Sequence, residues 1–260
     1  VQSPKFNTST TFDIVLLAIS AQYEQKERME IRKLWAAKEE STMQKTGKSL
    51  VIFLVGRSAQ LAHESDIYGD LLQVDIEETY RNLVYKIEAG FLWLQKHVKS
   101  DFVAKIDSDT VVHVDRLHGI LRGYEREQRA NDWIACSGNY WVRPIRDSYN
   151  AWYVSYSDYP HSIFPHYCNG PGYAMSRATF EKIVDRMGDH KVIEVEDVFF
   201  TGIVADGFSF IDRGITTNQY TSYSTCDANG PILSILNTHH QFGWPKYRKD
   251  LTAAWERLKE

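Results

Sequence analysis

The chain of 260 residues lacks an apolar run near the ~20 residues that a membrane-spanning helix needs. Its longest apolar run, residues 14–19, has the length of a buried strand. A basic stripe is also missing, and the net charge is −4 with both signs interspersed, so nucleic acid is not an expected partner. No Walker motif and no Gly-x-Gly-x-x-Gly sequence occurs, so neither a P-loop nor a dinucleotide fingerprint is supported.

Cysteine is scarce as well. Cys136, Cys168 and Cys226 do not have the spacing of a metal site. One disulfide with one free thiol is compatible with the sequence, and so are three buried thiols. The sequence Asn7-Thr8-Ser9 is a glycosylation sequon, which is compatible with a secretory lumen. No signal peptide is recognisable, and we expect an anchor or leader to have been removed before Val1.

Strands and helices alternate over residues 11–139, which predicts parallel βαβ units and an α/β fold with a largely parallel sheet. The predicted strands are residues 11–20, 49–56, 71–75 and 102–106. The predicted helices in this half are residues 24–38, 80–98 and 113–128. A terminal helix is predicted over residues 247–260, and the absence of repeats and linkers predicts one cooperative unit. In such sheets ligands bind beyond the carboxyl ends of the strands.

Two carboxylates, Asp107 and Asp109, lie at such an end. Side chains at positions i and i+2 of a strand point to the same face, so these carboxylates repel each other unless a cation lies between them and a ligand. Mg²⁺ and Mn²⁺ accept oxygen ligands and complete their coordination with phosphate and water. The pattern predicts metal-assisted chemistry on a phosphate-bearing substrate, and a solvated turn is the alternative.

Residues 140–165 form a loop-like segment dense in Tyr and Trp. Aromatic side chains with a polar group suit surfaces that are partly wet and partly apolar, and a sugar ring fits that description. Packing of the loop onto the sheet is the alternative. Further on, Gly170-Pro171-Gly172 indicates a tight turn or a close backbone approach. Glu196 and Asp197 lie at a predicted helix start, where helix capping alone explains acidic residues.

These segments share an order and spacing with a known set of motifs. Residues 105–109 are similar to Lys-x-Asp-Asp-Asp, and residues 196–198 to Glu-Asp-Val. Further matches lie at residues 28–35, 53–56, 75–86, 165–173 and 240–241. Together they resemble the β-1,3-glycosyltransferases of glycosyltransferase family 31, which include galactosyl- and N-acetylglucosaminyltransferases and to which the Fringe enzymes are related. The resemblance covers about residues 12–245.

The resemblance implies a GT-A-like single domain. Residues 1–10 are then a stem remnant and residues 11–260 a catalytic domain, with a nucleotide-binding half over 11–139 and an acceptor-binding half over 140–260. It implies transfer of a sugar, galactose first, from a UDP-sugar to a hydroxyl of a glycan acceptor, with inversion and in β-1,3 linkage. It also implies a Golgi lumen location, as a type II membrane protein whose anchor is absent from this chain.

The resemblance also implies residue roles. Asp197 is the expected general base, with Glu196 orienting the site or serving in its place. The expected ligands of Mn²⁺, or of Mg²⁺, are Asp109, His240 and Asp107. Expected donor contacts are Ser20, Arg28, Arg32, Lys86, Asp107 and Ser108. Expected acceptor contacts are Trp141, Trp152, Tyr153, Gly170, Gly172 and Tyr173.

The chain departs from the family pattern at several positions. Ser108 replaces the middle Asp of the triple, and Leu34 and Val84 replace threonines. Val204 stands where the pattern has a cysteine, so Cys226 lacks its usual partner. Three alternatives stay open: transfer from UDP-N-acetylglucosamine, a glycan-binding pseudoenzyme, and a haloacid-dehalogenase-like phosphatase that uses Asp107 as nucleophile.

Overall fold

The computed structural model describes residues 2–127, 131–212, 215, 235–237 and 251–259. The strands within these ranges are β1 (Thr11–Ile19), β2 (Ser49–Val55), β3 (Leu71–Gln73), β4 (Lys99–Asp107), β5 (Thr110–Val112), β6 (Trp133–Asn139), β7 (Tyr167–Ser176), β8 (Ser209–Ile211) and β9 (Ile235–Asn237). The α-helices are α1 (Gln25–Lys33), α2 (Thr42–Lys45), α3 (Ala62–Tyr68), α4 (Leu83–His97), α5 (Val114–Glu127), α6 (Arg177–Met187) and α7 (Leu251–Lys259). A π-helical turn spans Val198–Ile203.

Seven strands form one sheet in the order β3-β2-β1-β4-β7-β6-β8. All of them run parallel except β7, which is antiparallel to both β4 and β6. The predicted α/β fold with a largely parallel sheet is therefore confirmed. The sheet is continuous across the expected boundary at residue 139, since β6 and β7 are neighbours within it. Outside this sheet, β5 and β9 form an antiparallel pair.

Apolar side chains of β1 alternate between the two faces of the sheet. Ile14 packs into the core under α1 and α5, and Val15 packs into the core under α4 and α6. Residues 14–18 of β1 are fully buried because a central parallel strand is covered on both faces. The uniformly apolar sequence of this strand follows from that position.

The first helix ends earlier than its predicted limit at residue 38. The backbone leaves the helical conformation at Leu34, and Trp35 then lies in the core with no exposed surface. The Trp35 indole N–H donates to the carbonyl of Thr110 over 3.2 Å. Burial of one large ring therefore outweighs the helical tendency of residues 36–38. The sequence analysis also did not predict α2, α3, β5, β8 and β9.

The structure shows the state of two of the three cysteines. Cys136 on β6 and Cys168 on β7 form a disulfide, with Cα atoms 5.6 Å apart, that closes the base of the aromatic segment. Cys226 lies outside the described residues. None of the helices within the described ranges is both long enough and apolar enough to cross a membrane.

Candidate active site

A lysine that the sequence analysis did not select occupies the centre of the site. Lys105 on β4 is 1% exposed, and its ammonium donates to three oxygens. These are Asp107 Oδ1 at 2.7 Å, Glu196 Oε1 at 2.7 Å and the carbonyl of Gly170 at 2.6 Å. An ammonium has three donors, so every one of them is used. One cation thus joins the end of β4, strand β7 and the segment before the π-helical turn.

Glu196 and Asp197 lie side by side next to this cation. Asp197 Oδ1 accepts from the backbone N–H of Val198 at 2.8 Å, so Asp197 caps the π-helical turn. Desolvation, together with the negative charge of Asp107, raises the pKa of Asp197 to about 6, against the lowering effects of the Val198 N–H and of Lys105. Desolvation also raises the pKa of Glu196 to about 7, with Asp197 and Asp107 adding to the rise and Lys105 opposing it. Glu196 is buried and Asp197 is half-buried. Carboxylates whose pKa is raised toward neutral pH are typical of acid–base sites.

Asp107 and Asp109 are brought together at the end of β4, as predicted. The side chain of Asp107 is 34% exposed, and Asp109 is 9% exposed. Desolvation and the negative charge of Asp109 raise the pKa of Asp107, against the effect of Lys105. Two repelling carboxylates with hard oxygen donors suit Mg²⁺ or Mn²⁺. A group of three His, Cys, Asp or Glu side chains able to hold a metal is not found among the described residues.

The third predicted metal ligand, His240, lies outside the described residues, as does His239. The described part of the chain comes close in sequence at β9, which ends at Asn237. Asn237 pairs in register with Thr110, the residue after Asp109. The assignment of His240 to the metal therefore stays a prediction.

Ser108 and Ser20 both belong to a hydrogen-bonded cluster around the start of α1. Ser108 Oγ donates to Glu24 Oε2 at 2.8 Å, and the same oxygen accepts from the backbone N–H of Ala21. An aspartate at position 108 would place a second negative charge against Glu24, so serine suits this neighbour. Ser20 is 1% exposed, and its hydroxyl accepts from Arg28 at 2.9 Å.

Arg28 and Arg32 have supporting contacts rather than open ones. The guanidinium of Arg28 has no exposed surface, binds both carboxylate oxygens of Glu64, and donates to Ser20 and Ala21. Arg32 is paired with Glu64 and with Asp70. Because a fully enclosed guanidinium offers no surface to a nucleotide, Arg28 is placed as a support for the end of β1 and not as a direct donor contact.

Lys86 is placed in the same way. Its ammonium is paired with both oxygens of Glu78, at 2.9 and 3.1 Å, and donates to the carbonyl of Ser20 at 3.3 Å. Glu78 also accepts from the backbone N–H of Gly56. The pair therefore joins the carboxyl ends of β1 and β2. With 4% of its surface exposed, Lys86 reaches a donor only if the pair opens.

The aromatic segment is the loop between β6 and β7, which leaves the sheet at the edge where β4 ends. Trp141 is 77% exposed and has a positive φ of 61°, which is rare for a residue with a side chain. Trp152 is 43% exposed, and Tyr153 is half-buried in a bridge with Ile145. Arg146 fixes the loop by donating to the carbonyls of Val154, Ser155, Tyr159 and His161. Exposed rings on a fixed loop suit contact with a sugar.

The three residues predicted for the acceptor on β7 differ in position. A Cβ at Gly170 would lie 3.4 Å from Asp197 Oδ2, so Gly170 borders the carboxylate pair. A Cβ at Gly172 would instead press against Ile106 and Ile235, at 3.3 Å from each, which gives Gly172 a packing role. Tyr173 is fully buried, with its hydroxyl 3.4 Å from Glu196 Oε2. An enclosed ring has no surface for a sugar, so Tyr173 supports Glu196 and is not placed to contact an acceptor.

Sequence reasoning missed Lys105 and Glu24 as members of the site. Lys105 carried a usable signal, because a lysine within an apolar strand is seldom buried unless it is paired. Its partner Glu196, 91 positions away, could not be identified from spacing. Glu24 carried no signal, since it opens a helix rich in charged residues.

The α/β sheet carries two pairs of carboxylates at one edge, and a buried lysine links them. This arrangement is compatible with the glycosyltransferase class that the motifs suggested. Residues 26–213 match the family model described as Galactosyltransferase, and the chain belongs to that family. The resemblance stated from the motifs is thereby confirmed.

Relatives in the same family include beta-1,3-galactosyltransferase 5 of Pan troglodytes, 32% identical over 194 residues, covering 72% of this chain and 63% of that protein. Human UDP-GalNAc:beta-1,3-N-acetylgalactosaminyltransferase 1 is 30% identical over 196 residues, covering 72% of this chain and 57% of that protein. The chain spans less than two thirds of the length of these relatives.

Two solved structures are more distant. The glycosyltransferase GlyE of Streptococcus pneumoniae TIGR4 has a TM-score of 0.45 and 14% identity, covering 96% of this chain and 60% of that chain. Mouse xyloside xylosyltransferase 1 in its apo form has a TM-score of 0.47 and 8% identity, covering 92% of this chain and 99% of that chain.

Proposed function

We propose that this chain is an inverting, metal-dependent glycosyltransferase that moves a sugar from a UDP-sugar to a hydroxyl of a glycan acceptor in β-1,3 linkage. The observation that carries the proposal is the arrangement around Lys105. Its ammonium bonds at 2.7 Å to Asp107 in one carboxylate pair and to Glu196 in the other. One pair suits a cation and a diphosphate, and the other suits removal of a proton.

In the proposed reaction the acceptor oxygen forms a bond to the anomeric carbon of the donor sugar while the bond to the UDP oxygen breaks. The acceptor proton passes to Asp197, and the bonding electrons leave with UDP. The cap from Val198 to Asp197 Oδ1 orients this carboxylate, and the neighbouring Gly170 leaves room for the acceptor chain. Attack from the side opposite the leaving group inverts the anomeric configuration.

A divalent cation, Mn²⁺ first and Mg²⁺ second, would stabilise the negative charge that develops on the departing diphosphate. Asp109 and Asp107 would hold it. Because Asp107 Oδ1 is bonded to Lys105, the second oxygen of Asp107 would be the one available to the cation. His240 is proposed as a further ligand.

UDP-galactose is the first proposed donor, supported by the family and by the names of relatives that are galactosyltransferases. UDP-N-acetylgalactosamine has comparable support from a relative whose name specifies that donor. UDP-N-acetylglucosamine follows as the alternative from the motifs. We propose a glycan or glycoconjugate as acceptor and the Golgi lumen as location, with a type II membrane anchor N-terminal to this chain.

The test is a donor screen in which UDP release is measured with Mn²⁺, with Mg²⁺ and with chelator, against galactose- and N-acetylglucosamine-terminated acceptors. We expect release that requires both acceptor and metal, with the new linkage read by NMR. Binding of glycans without turnover of any UDP-sugar would favour the pseudoenzyme. Phosphate release with phosphorylation of Asp107 would favour the phosphatase, which family membership already disfavours.

A further inference from the structure

Lys105 joins the two carboxylate pairs directly, by bonds to Asp107 and to Glu196. Both oxygens are 2.7 Å from its nitrogen, and the ammonium is withdrawn from solvent. The third bond, to the carbonyl of Gly170, fixes the direction from which the ammonium approaches the two carboxylates. A buried ion pair fixes geometry even where its net contribution to stability is small, because each charge needs its partner.

We infer that Lys105 is a positioning residue that couples the two halves of the site, fixing Asp107 toward the metal and Glu196 beside the base. This inference rests on the proposed function. Lys105 itself touches neither substrate nor metal, since all three of its donors are bonded to protein oxygens. Its effect on the reaction therefore passes through the two carboxylates.

The coupling has a separable consequence on each side. Glu196 neighbours Asp197, so release of Glu196 disturbs the base and lowers kcat. Asp107 belongs to the metal side, so its release weakens binding of Mn²⁺ with UDP. If Lys105 had a purely structural role, its replacement would lower only the melting temperature. The kcat and the Mn²⁺–UDP affinity of the folded protein would stay unchanged.

The experiment compares Lys105→Met, Glu196→Gln and the double variant with the wild type. UDP binding in the presence of Mn²⁺ is measured by calorimetry, kcat by UDP release and stability by the melting temperature. We expect Lys105→Met to weaken Mn²⁺–UDP binding by about 10–100-fold, the typical effect of losing a partner of a metal-ligating carboxylate. We expect kcat to fall by about 10²-fold through misplacement of reacting groups.

The double variant serves as the test if Lys105→Met alone does not fold. Loss of Lys105 leaves the charges of Asp107 and Glu196 without their partner, and Glu196→Gln removes one of these two charges. The double variant should show weakened Mn²⁺–UDP binding relative to Glu196→Gln, which retains Lys105 and Asp107. The loss of kcat in the double variant should be smaller than the product of the losses in the two single variants, since Lys105 acts through Glu196. Wild-type binding and turnover in the double variant would overturn the inference.

Arg177→Met is the matched control. Arg177 also donates to backbone carbonyls, those of Gln95 and Val98, but at the opposite end of β4. It should lower the melting temperature while Mn²⁺–UDP affinity and kcat stay at wild-type values. If the wild type is active and the folded Lys105→Met protein keeps wild-type Mn²⁺–UDP affinity and kcat, the inference about Lys105 is wrong and the proposed function stands. A wild type that neither binds UDP with Mn²⁺ nor turns over any donor contradicts the proposed function, and the inference falls with it.

Discussion

At the scale of single residues, the position of Asp197 suits both roles that sequence reasoning treated as alternatives, helix cap and proposed general base. It caps the π-helical turn through Oδ1, and its other oxygen borders Gly170. The cap holds the carboxylate in one orientation, which is what a general base needs. Capping and catalysis are therefore compatible at this position.

Asp197→Asn should separate the two roles. Asparagine keeps an oxygen for the cap, so the melting temperature should stay close to that of the wild type, whereas kcat should fall by about 10²–10⁴-fold. UDP release, UDP affinity with Mn²⁺ and thermal unfolding are measured on one sample. Asp206→Asn, at an exposed position just past the π-helical turn, is the control. Retained turnover would transfer the base to Glu196.

The pH dependence follows from the same pair. Desolvation raises the pKa of Asp197 to about 6 and that of Glu196 to about 7. Because a base acts only when unprotonated, kcat/KM should decline as pH is lowered through this window and level off above it. The limb belongs to the pair, since interacting carboxylates titrate together. A rate independent of pH from 5 to about 8 would contradict a carboxylate base of this kind.

Asp109→Ala should abolish turnover by removing a metal ligand while the protein remains folded. The control is Asp115→Ala, nearby in the chain, where the carboxylate caps α2 by accepting from Ser41, Thr42 and Met43. Loss of that cap should cost about 1 kcal/mol in stability without affecting the dependence of the rate on Mn²⁺. Near wild-type activity of Asp109→Ala without added Mn²⁺ would refute the metal assignment.

At the scale of elements, the disulfide between β6 and β7 closes the loop that carries the exposed aromatic rings. The bonded cysteines are 32 positions apart. In the same place, Thr201 of the π-helical turn accepts from the backbone N–H of Cys168 and donates to the carbonyl of Asp197. The disulfide, β7 and the proposed base thus belong to one bonded unit.

Replacing both cysteines by alanine should lower the free energy of unfolding by about 3–4 kcal/mol, the loop-closure value for a loop of this length. The midpoint of urea unfolding measures it, with and without reductant. In the wild type reductant should reproduce the shift, and in the variant it should have no effect. The variant keeps only Cys226, so a shift with reductant there would point to a disulfide between two molecules.

Elements also show how far sequence reasoning reaches. The four strands predicted in the first half and the carboxylates after the last of them followed from periodicity and motifs, because these are local signals. The end of α1 did not, since it depends on Trp35 reaching Thr110 across the fold. Nor did the bond from Lys105 to Glu196, which joins distant segments. Local pattern predicts which residues gather at a sheet edge, and tertiary contacts decide which of them remain accessible.

At the scale of the whole molecule, one sheet joins the two expected halves, and the last described helix packs back on the first half. Trp255 of α7 is 1% exposed and donates to Glu40 Oε2 at 3.2 Å. Helix α7 contacts β5, the strand that follows Asp109. The C-terminal helix therefore supports the segment that carries the proposed metal ligand.

Trp255→Ala should lower the free energy of unfolding by about 3–5 kcal/mol through the cavity that it leaves. Because the sheet is continuous, far-UV circular dichroism and tryptophan fluorescence should still report one coincident urea transition, shifted as a whole. Thr252→Ala, on the exposed face of the same helix, should change stability by no more than about 0.5 kcal/mol. Two separate transitions would show that residues 11–139 and 140–260 unfold independently.

If α7 supports β5 as its contacts indicate, the Mn²⁺ concentration for half-maximal rate should also rise in Trp255→Ala and not in Thr252→Ala.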